Sequence, residues 1–181
     1  MKMTMYVAKP LSGWILSACL LGGSWTAVAE PLVVGQQAPA FEVTTLDGRT
    51  VDLQDYRGKK PVYLKFWATW CSYCKAEMPH FESIYQQYGD AIEVLSVNIG
   101  LNDSVANIEQ FYQQHGYQLP TVFDRNGELS RKYQVVGTPY QVLIDKQGKI
   151  AYQTFLATDQ LDDLVSSWGR TAAATSDSYQ Q

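Results

Sequence analysis

Two apolar runs, "PVYLKFW" at 61–67 and "AIEVLSVNI" at 91–99, flank a stretch with helical spacing from about Ser72 to Tyr88, closed by Gly89. Each run is short, continuous and rich in β-branched or aromatic residues, the pattern of a strand buried on both faces. Strand, helix and strand in this order imply a parallel pair joined by a right-handed crossover. Upstream, "FEVTTLDGRTVDL" (41–53) alternates around Asp47-Gly48 and reads as a hairpin. Downstream come a helix at 104–116 with Val105, Ile108, Phe111 and Tyr112 on one face, a short strand at 121–123 and a helical turn at 128–133. Then "YQVLID" and "KIAYQTF", joined by "KQG", form a second hairpin, followed by a helix from about Asp159 to Trp168. The pattern is α/β, with an antiparallel hairpin at the edge of the sheet.

The first 29 residues do not belong to this pattern. Lys2 and Lys9 give a positive start, "PLSGWILSACLLGGSW" is apolar, and "TAVAE" offers an A-x-A cleavage site after Ala29. A secretory signal is the expectation. "LSAC" at 16–19 also resembles a lipobox, which would tether the chain to a membrane through Cys19, but the residues after Cys19 stay apolar where a tether is usually polar. An uncleaved anchor is disfavoured by Pro10, Gly13 and Gly22-Gly23, since a span needs about 20 apolar residues. All three readings export the domain, to the periplasm. The domain is expected over 30–170, and the polar end, 171–181, is expected to be a disordered tail. The 181-residue chain has a net charge of −4 and no basic stripe, which argues against nucleic acid. A monomer is expected.

The remaining cysteines, Cys71 and Cys74, form a C-x-x-C between the first buried strand and its helix. That position puts Cys71 at a helix N-terminus, where unsatisfied N–H groups and the macrodipole favour an anion. A thiolate is the anion on offer, with a pKa below the free value of about 8.5. Cys74, one turn further in, is close enough to attack a mixed disulfide on Cys71. A zinc half-site is disfavoured because only His80 and His115 remain as partners, at no finger spacing. A permanent staple is disfavoured because a two-residue gap closes almost no loop. No cofactor or metal is expected.

"FWATWCSYCKAEMP" (66–79) resembles the active-site segment of the thioredoxin superfamily, and within it the exported TlpA/ResA-like thiol-disulfide oxidoreductases. "GQQAPAFEVTTLDGRTVDLQDYRGK" (35–59) is similar to the N-terminal hairpin of that family, and "VVGTPYQVLIDKQGKI" (135–150) to its proline loop and closing hairpin. The resemblance implies a thioredoxin-like fold, a central mixed sheet flanked by helices with an extra N-terminal β-hairpin. It implies a redox-active Cys71–Cys74 disulfide, with Trp70 flanking the sulfur and Pro139 as a cis-proline facing it. The backbone of Thr138 would hold an extended substrate like an added strand. Glu77 matches an acidic residue of the family's helix, either a proton relay or a solvated carboxylate. Three positions depart from the family: Ser72-Tyr73 lack the usual proline between the cysteines, Tyr140-Gln141 are large residues expected to alter the substrate groove, and Lys65 stands where relatives carry Asp, Asn or Glu. An ammonium about 6 Å from the Cys74 sulfur, at an effective dielectric near 20, would favour its thiolate by roughly 3 kcal/mol. The alternative is that Lys65 snorkels to water.

Two function classes follow. The first is an enzyme that reduces disulfides of exported proteins, for example in cytochrome c maturation, and draws electrons from a membrane thiol donor. A net oxidant or isomerase would use the same residues at a different potential. The second is a copper-handling module using both thiolates with His80. A thiol peroxidase is disfavoured, because no Pro-x-x-x-Thr-x-x-Cys run is present.

Overall fold

The computed structural model describes residues 31–177. The leader expected at 1–29, with Cys19, and residues 178–181 lie outside them. The elements follow in the order β1 (Glu42–Thr44), β2 (Thr50–Asp52), α1 (Leu53–Tyr56), β3 (Val62–Trp67), α2 (Ser72–Tyr88), β4 (Glu93–Asn98), α3 (Val105–His115), β5 (Thr121–Phe123), α4 (Glu128–Lys132), β6 (Tyr140–Ile144), β7 (Ile150–Thr154) and α5 (Asp159–Asp177). The main sheet has the order β5-β4-β3-β6-β7, with β3, β4 and β5 parallel and β6 and β7 antiparallel. β1 and β2 form a separate antiparallel pair. This is the thioredoxin-like arrangement the sequence implies.

β3 occupies the middle of the sheet and all six of its residues are buried. Strand periodicity sends them alternately to two cores. Val62, Leu64 and Phe66 meet Phe41, Val51 and Leu53 from the N-terminal hairpin, together with Val142, Ile144 and Ile150. Tyr63 and Trp67 meet Met78, Phe81 and Ile84 of α2, Ile108 of α3 and Leu161 and Val165 of α5. Each such large apolar side chain contributes about 1.5–3 kcal/mol when fully buried. The extra hairpin is therefore part of one core rather than an appendage. The bridge between Gln37 and Lys149 and the bond from the Leu46 N–H to the Thr121 carbonyl fasten it further.

Two boundaries differ from expectation. α1 is a single turn that the hairpin reading passes over, capped by Asp52, whose carboxylate accepts from the Gln54 N–H. At the other end, α5 does not stop at Trp168 but runs to Asp177, into the segment expected to be a disordered tail. Gly169 looks like a stop, yet a Cβ there would lie 2.2 Å from Tyr88 of α2, so this glycine permits close helix packing. The alanine-rich residues that follow have the highest helix propensity and carry the helix onward.

Candidate active site

β3 ends at Trp67 and the chain turns through 68–70, with the Cys71 N–H donating to the Ala68 carbonyl at 3.1 Å. Cys71 then caps α2: its Sγ accepts from the Cys74 N–H at 3.1 Å. The two sulfurs form a disulfide. Cys71 retains 5% exposure and Cys74 none, so only the first sulfur can meet a partner. In the reduced state the Cys74 N–H and the N-terminal macrodipole of α2 both favour a thiolate on Cys71, the dipole by about 0.3–1 kcal/mol and up to about 2 in a partly buried site. Cys74 has the opposite environment, since burial among Trp67, Met78 and Phe81 opposes charge.

Trp70 is not a core aromatic. It is 51% exposed beside the cysteine, held by its Nε1 donating to the Leu101 carbonyl at 2.7 Å. Trp67 takes the core position and stacks on Tyr112 at 5.7 Å. Tyr73, between the cysteines, is 68% exposed. The peptide bond between Thr138 and Pro139 is cis, and Thr138 lines the same groove as Trp70.

Lys65 is neither a surface lysine nor a free cation beneath Cys74. It is 1% exposed, and its Nζ donates to Glu77 Oε2 at 2.5 Å while sitting 5.6 Å from the Phe81 ring centroid. Burial pushes its pKa down, and the Glu77 bond partly restores it. Snorkelling is thus corrected: β3 is covered on both faces, and the side chain has no path to water. Glu77 is not a solvated helix-face group either. Its Oε1 accepts from the Ala157 N–H at 2.7 Å, and Gln141 Nε2 lies 3.4 Å from Oε2. Gln141 sits opposite Lys65 in the β3–β6 register and accepts from the Tyr63 hydroxyl. Burial, reinforced by the Glu77 charge, raises the Tyr63 pKa well above its ordinary value. The expected groove role of Tyr140 and Gln141 is also corrected, because both are buried, Tyr140 bonding Gln153 at 3.1 Å.

Asp103 is the residue the sequence pattern did not single out. Its carboxylate accepts from Thr69 N and Oγ1 and from Asn98 Nδ2, each at 2.7 Å, and from the Ser104 N–H at 2.9 Å. It ties the end of β4 and the start of α3 to the loop that delivers Trp70 and Cys71. Burial works to raise its pKa, but the bonds from Asn98, Thr69 and Ser104 outweigh it and hold the carboxyl below the ordinary value. The only signal for it is an acidic residue just before the Ser104 cap of α3.

A family model described as AhpC/TSA family matches residues 34–153. The thiol-disulfide oxidoreductase ResA of Geobacillus thermodenitrificans is 42% identical over 126 residues, covering 69% of this chain and 68% of the relative. The chain belongs to the AhpC/TSA family, as a ResA-like thiol-disulfide oxidoreductase. Among solved structures of thioredoxin-like fold, StoA from Bacillus subtilis matches with a TM-score of 0.61 and 26% identity over 75% of this chain and 98% of its own. An exposed lipoprotein thioredoxin from Streptococcus pneumoniae matches with a TM-score of 0.60 and 36% identity, over 72% and 98%. For an oxidoreductase of this family, the copper reading loses its third ligand. His80 lies six residues beyond Cys74, about 9 Å along the helix, and its Nε2 is 2.8 Å from Asp162 of α5.

Asp103→Asn is expected to lower stability at pH 7 by about 1–3 kcal/mol, since an amide cannot accept from all the same donors. The folded-state pKa of Asp103 lies below its ordinary 3.8, so its stabilisation is complete above that value and disappears as pH falls through the folded one. Urea midpoints should differ between wild type and variant at neutral pH and converge in acid. A constant difference across pH would show that the carboxylate charge has no part.

Proposed function

We propose that this protein is exported to the periplasm and reduces disulfides of other exported proteins, apocytochromes c among them. The observation that carries this reading is the asymmetry of the cysteine pair: one sulfur caps a helix at the surface, the other is buried one turn below. The leader pattern at 1–29 and the exposed lipoprotein among the relatives support export.

In the proposed cycle the reduced Cys71 thiolate attacks a substrate disulfide. One substrate sulfur departs and takes a proton from water, leaving the other bonded to Cys71. Cys74 then gives its proton to Glu77, attacks Cys71 Sγ, and the second substrate sulfur leaves. Two electrons have passed to the substrate and the enzyme holds the Cys71–Cys74 disulfide. An external dithiol must restore it, and a membrane thiol donor fits an exported protein, because glutathione does not buffer that compartment.

Glu77 suits the proton role because it is three residues from Cys74, on the same side of α2, and stays partly accessible. Lys65 is a positioning residue: its ammonium donates to Glu77 Oε2 at 2.5 Å and holds that carboxylate in place. The backbone of Thr138 offers a pairing site for an extended substrate. Among the described residues, Val136, Gly137 and Thr138 make no backbone hydrogen bond, which leaves this stretch open to pair.

Brief alkylation of the reduced protein near pH 6.5 should label Cys71 and spare Cys74, and Cys74→Ser should trap mixed disulfides whose mass spectra name the substrate. Equal labelling would count against the helix-terminus argument. Direction is decided by the potential of the pair: a value well below about −200 mV establishes a reductant, one near −120 mV a net oxidant.

Lys65→Met tests the proton route. Without the ammonium that bonds Glu77 Oε2, the carboxylate loses its fixed place one turn from Cys74, and the resolving step should slow several-fold. Resolution can be followed in single turnover from a preformed mixed disulfide on Cys71. Unchanged resolution rates would remove Lys65 from the mechanism.

A further inference from the structure

A groove of about 530 Å³ is lined by Trp70, the chain neighbour of Cys71, with Leu101, Val136 and Thr138, and by the two arginines Arg125 and Arg131. Its two walls meet closely: Gly100 has φ +69, and a Cβ there would lie 2.6 Å from the Asp124 carbonyl oxygen, so the loops at 100–102 and 124–127 abut along its floor. Its apolar lining is open to water, with Val136 87% exposed and Leu101 and Trp70 both exposed. Apolar surface exposed next to a reactive sulfur is a contact surface in want of a partner.

The charge of the groove runs against that of the protein. The chain has 18 acidic against 14 basic side chains, yet no carboxylate lines this groove and two guanidiniums do. Neither arginine is committed to an ion pair among the described residues. Arg131 donates to the Asn126 carbonyl at 2.7 Å, and Arg125 lies 5.3 Å from the Phe123 ring centroid, contacts that orient the guanidiniums and leave donors over. The nearby acids are engaged elsewhere. Asp124 accepts from the Leu129 and Ser130 N–H groups and the Ser130 hydroxyl, Asp103 is held by Thr69, Asn98 and Ser104, and Glu42 and Glu128 line a second depression, which Arg125 also lines, without forming an ion pair with it.

We infer that this groove selects extended peptide segments whose disulfide-bonded cysteine is followed or preceded, within a few residues, by acidic side chains. The cysteine sulfur meets Cys71, neighbouring apolar side chains lie against Trp70, Leu101 and Val136, and the carboxylates reach Arg125 and Arg131. An arginine fork binds a carboxylate bidentately and so contributes register as well as attraction. The inference rests on the proposed reduction of protein disulfides and specifies which segments are taken. The protein's overall negative charge would by itself favour basic peptides, so an acidic preference can come only from the local groove.

The test uses peptides identical except for two Asp or two Lys placed three and four residues from a single cysteine, on either side of it, each capped as a mixed disulfide with 2-mercaptoethanol. With the dithiol form of the enzyme at low salt, kcat/KM is expected to be at least tenfold higher for an acidic peptide than for its basic counterpart. That advantage should shrink as ionic strength rises. Arg125→Gln combined with Arg131→Gln should abolish the preference, and the double change to Glu should reverse it, while reduction of uncharged bis(2-hydroxyethyl) disulfide stays unchanged. Equal rates for the peptides with the wild-type enzyme would overturn the inference and leave the reductase reading standing. So would an acidic preference that survives both double variants. Failure to reduce even bis(2-hydroxyethyl) disulfide would overturn the reductase reading, and the inference with it.

Discussion

Strand β3 has hydrogen-bonded neighbours on both edges and a core on both faces, and its C-terminal end hands the chain directly to Cys71. Everything about the site depends on that placement. A central strand is among the last elements to open locally, so the turn at 68–70 and the first residues of α2 start from a rigid point. Asp103 adds a second anchor, joining the same turn to β4 and α3. A nucleophile at a helix N-terminus needs its sulfur, its N–H donor and the helix axis in fixed relation, and these two attachments provide it.

The same double burial explains why Lys65 matters. An isolated ammonium at a covered strand position would carry a desolvation cost of several kcal/mol. It is accommodated because α2 brings Glu77 over the strand and β6 brings Gln141 beside it. The network is asymmetric: Lys65, Tyr63 and Gln141 are fully enclosed, while Glu77 retains access to water. Glu77 thus touches both a buried cation and the solvent edge, one helical turn from a buried thiol. Next in the chain to Cys71, Trp70 shares a groove with the exposed Leu101 and Val136 and with Arg125 and Arg131.

Much of this was legible in the residues themselves. The apolar runs at 61–67 and 91–99 place β3 and β4, the Asp47-Gly48 and "KQG" turns place the hairpins, and the C-x-x-C position marks the head of α2. These are local signals, set by side-chain period and turn chemistry over fewer than about ten residues. Local signals also misled. The helix expected to end near Trp168 runs on through Gly169, a contact glycine against Tyr88, and Tyr140-Gln141, groove residues by comparison with the resembled family, are buried.

The sequence alone determined the element order, the alternation of β3 between two cores, and the position of the reactive cysteine, because each follows from the covalent spacing of side chains along one strand or helix. Only the tertiary structure decided that Lys65 pairs with Glu77, that Asp103 buckles the active-site turn, and that Arg125 and Arg131 share a groove with Trp70. Those pairings join residues 12, 34 and about 60 positions apart. Charge and hydrogen-bond partners are chosen by distance in space, and that distance exists only once the sheet has assembled and brought α2, β6 and the loops at its end against one another.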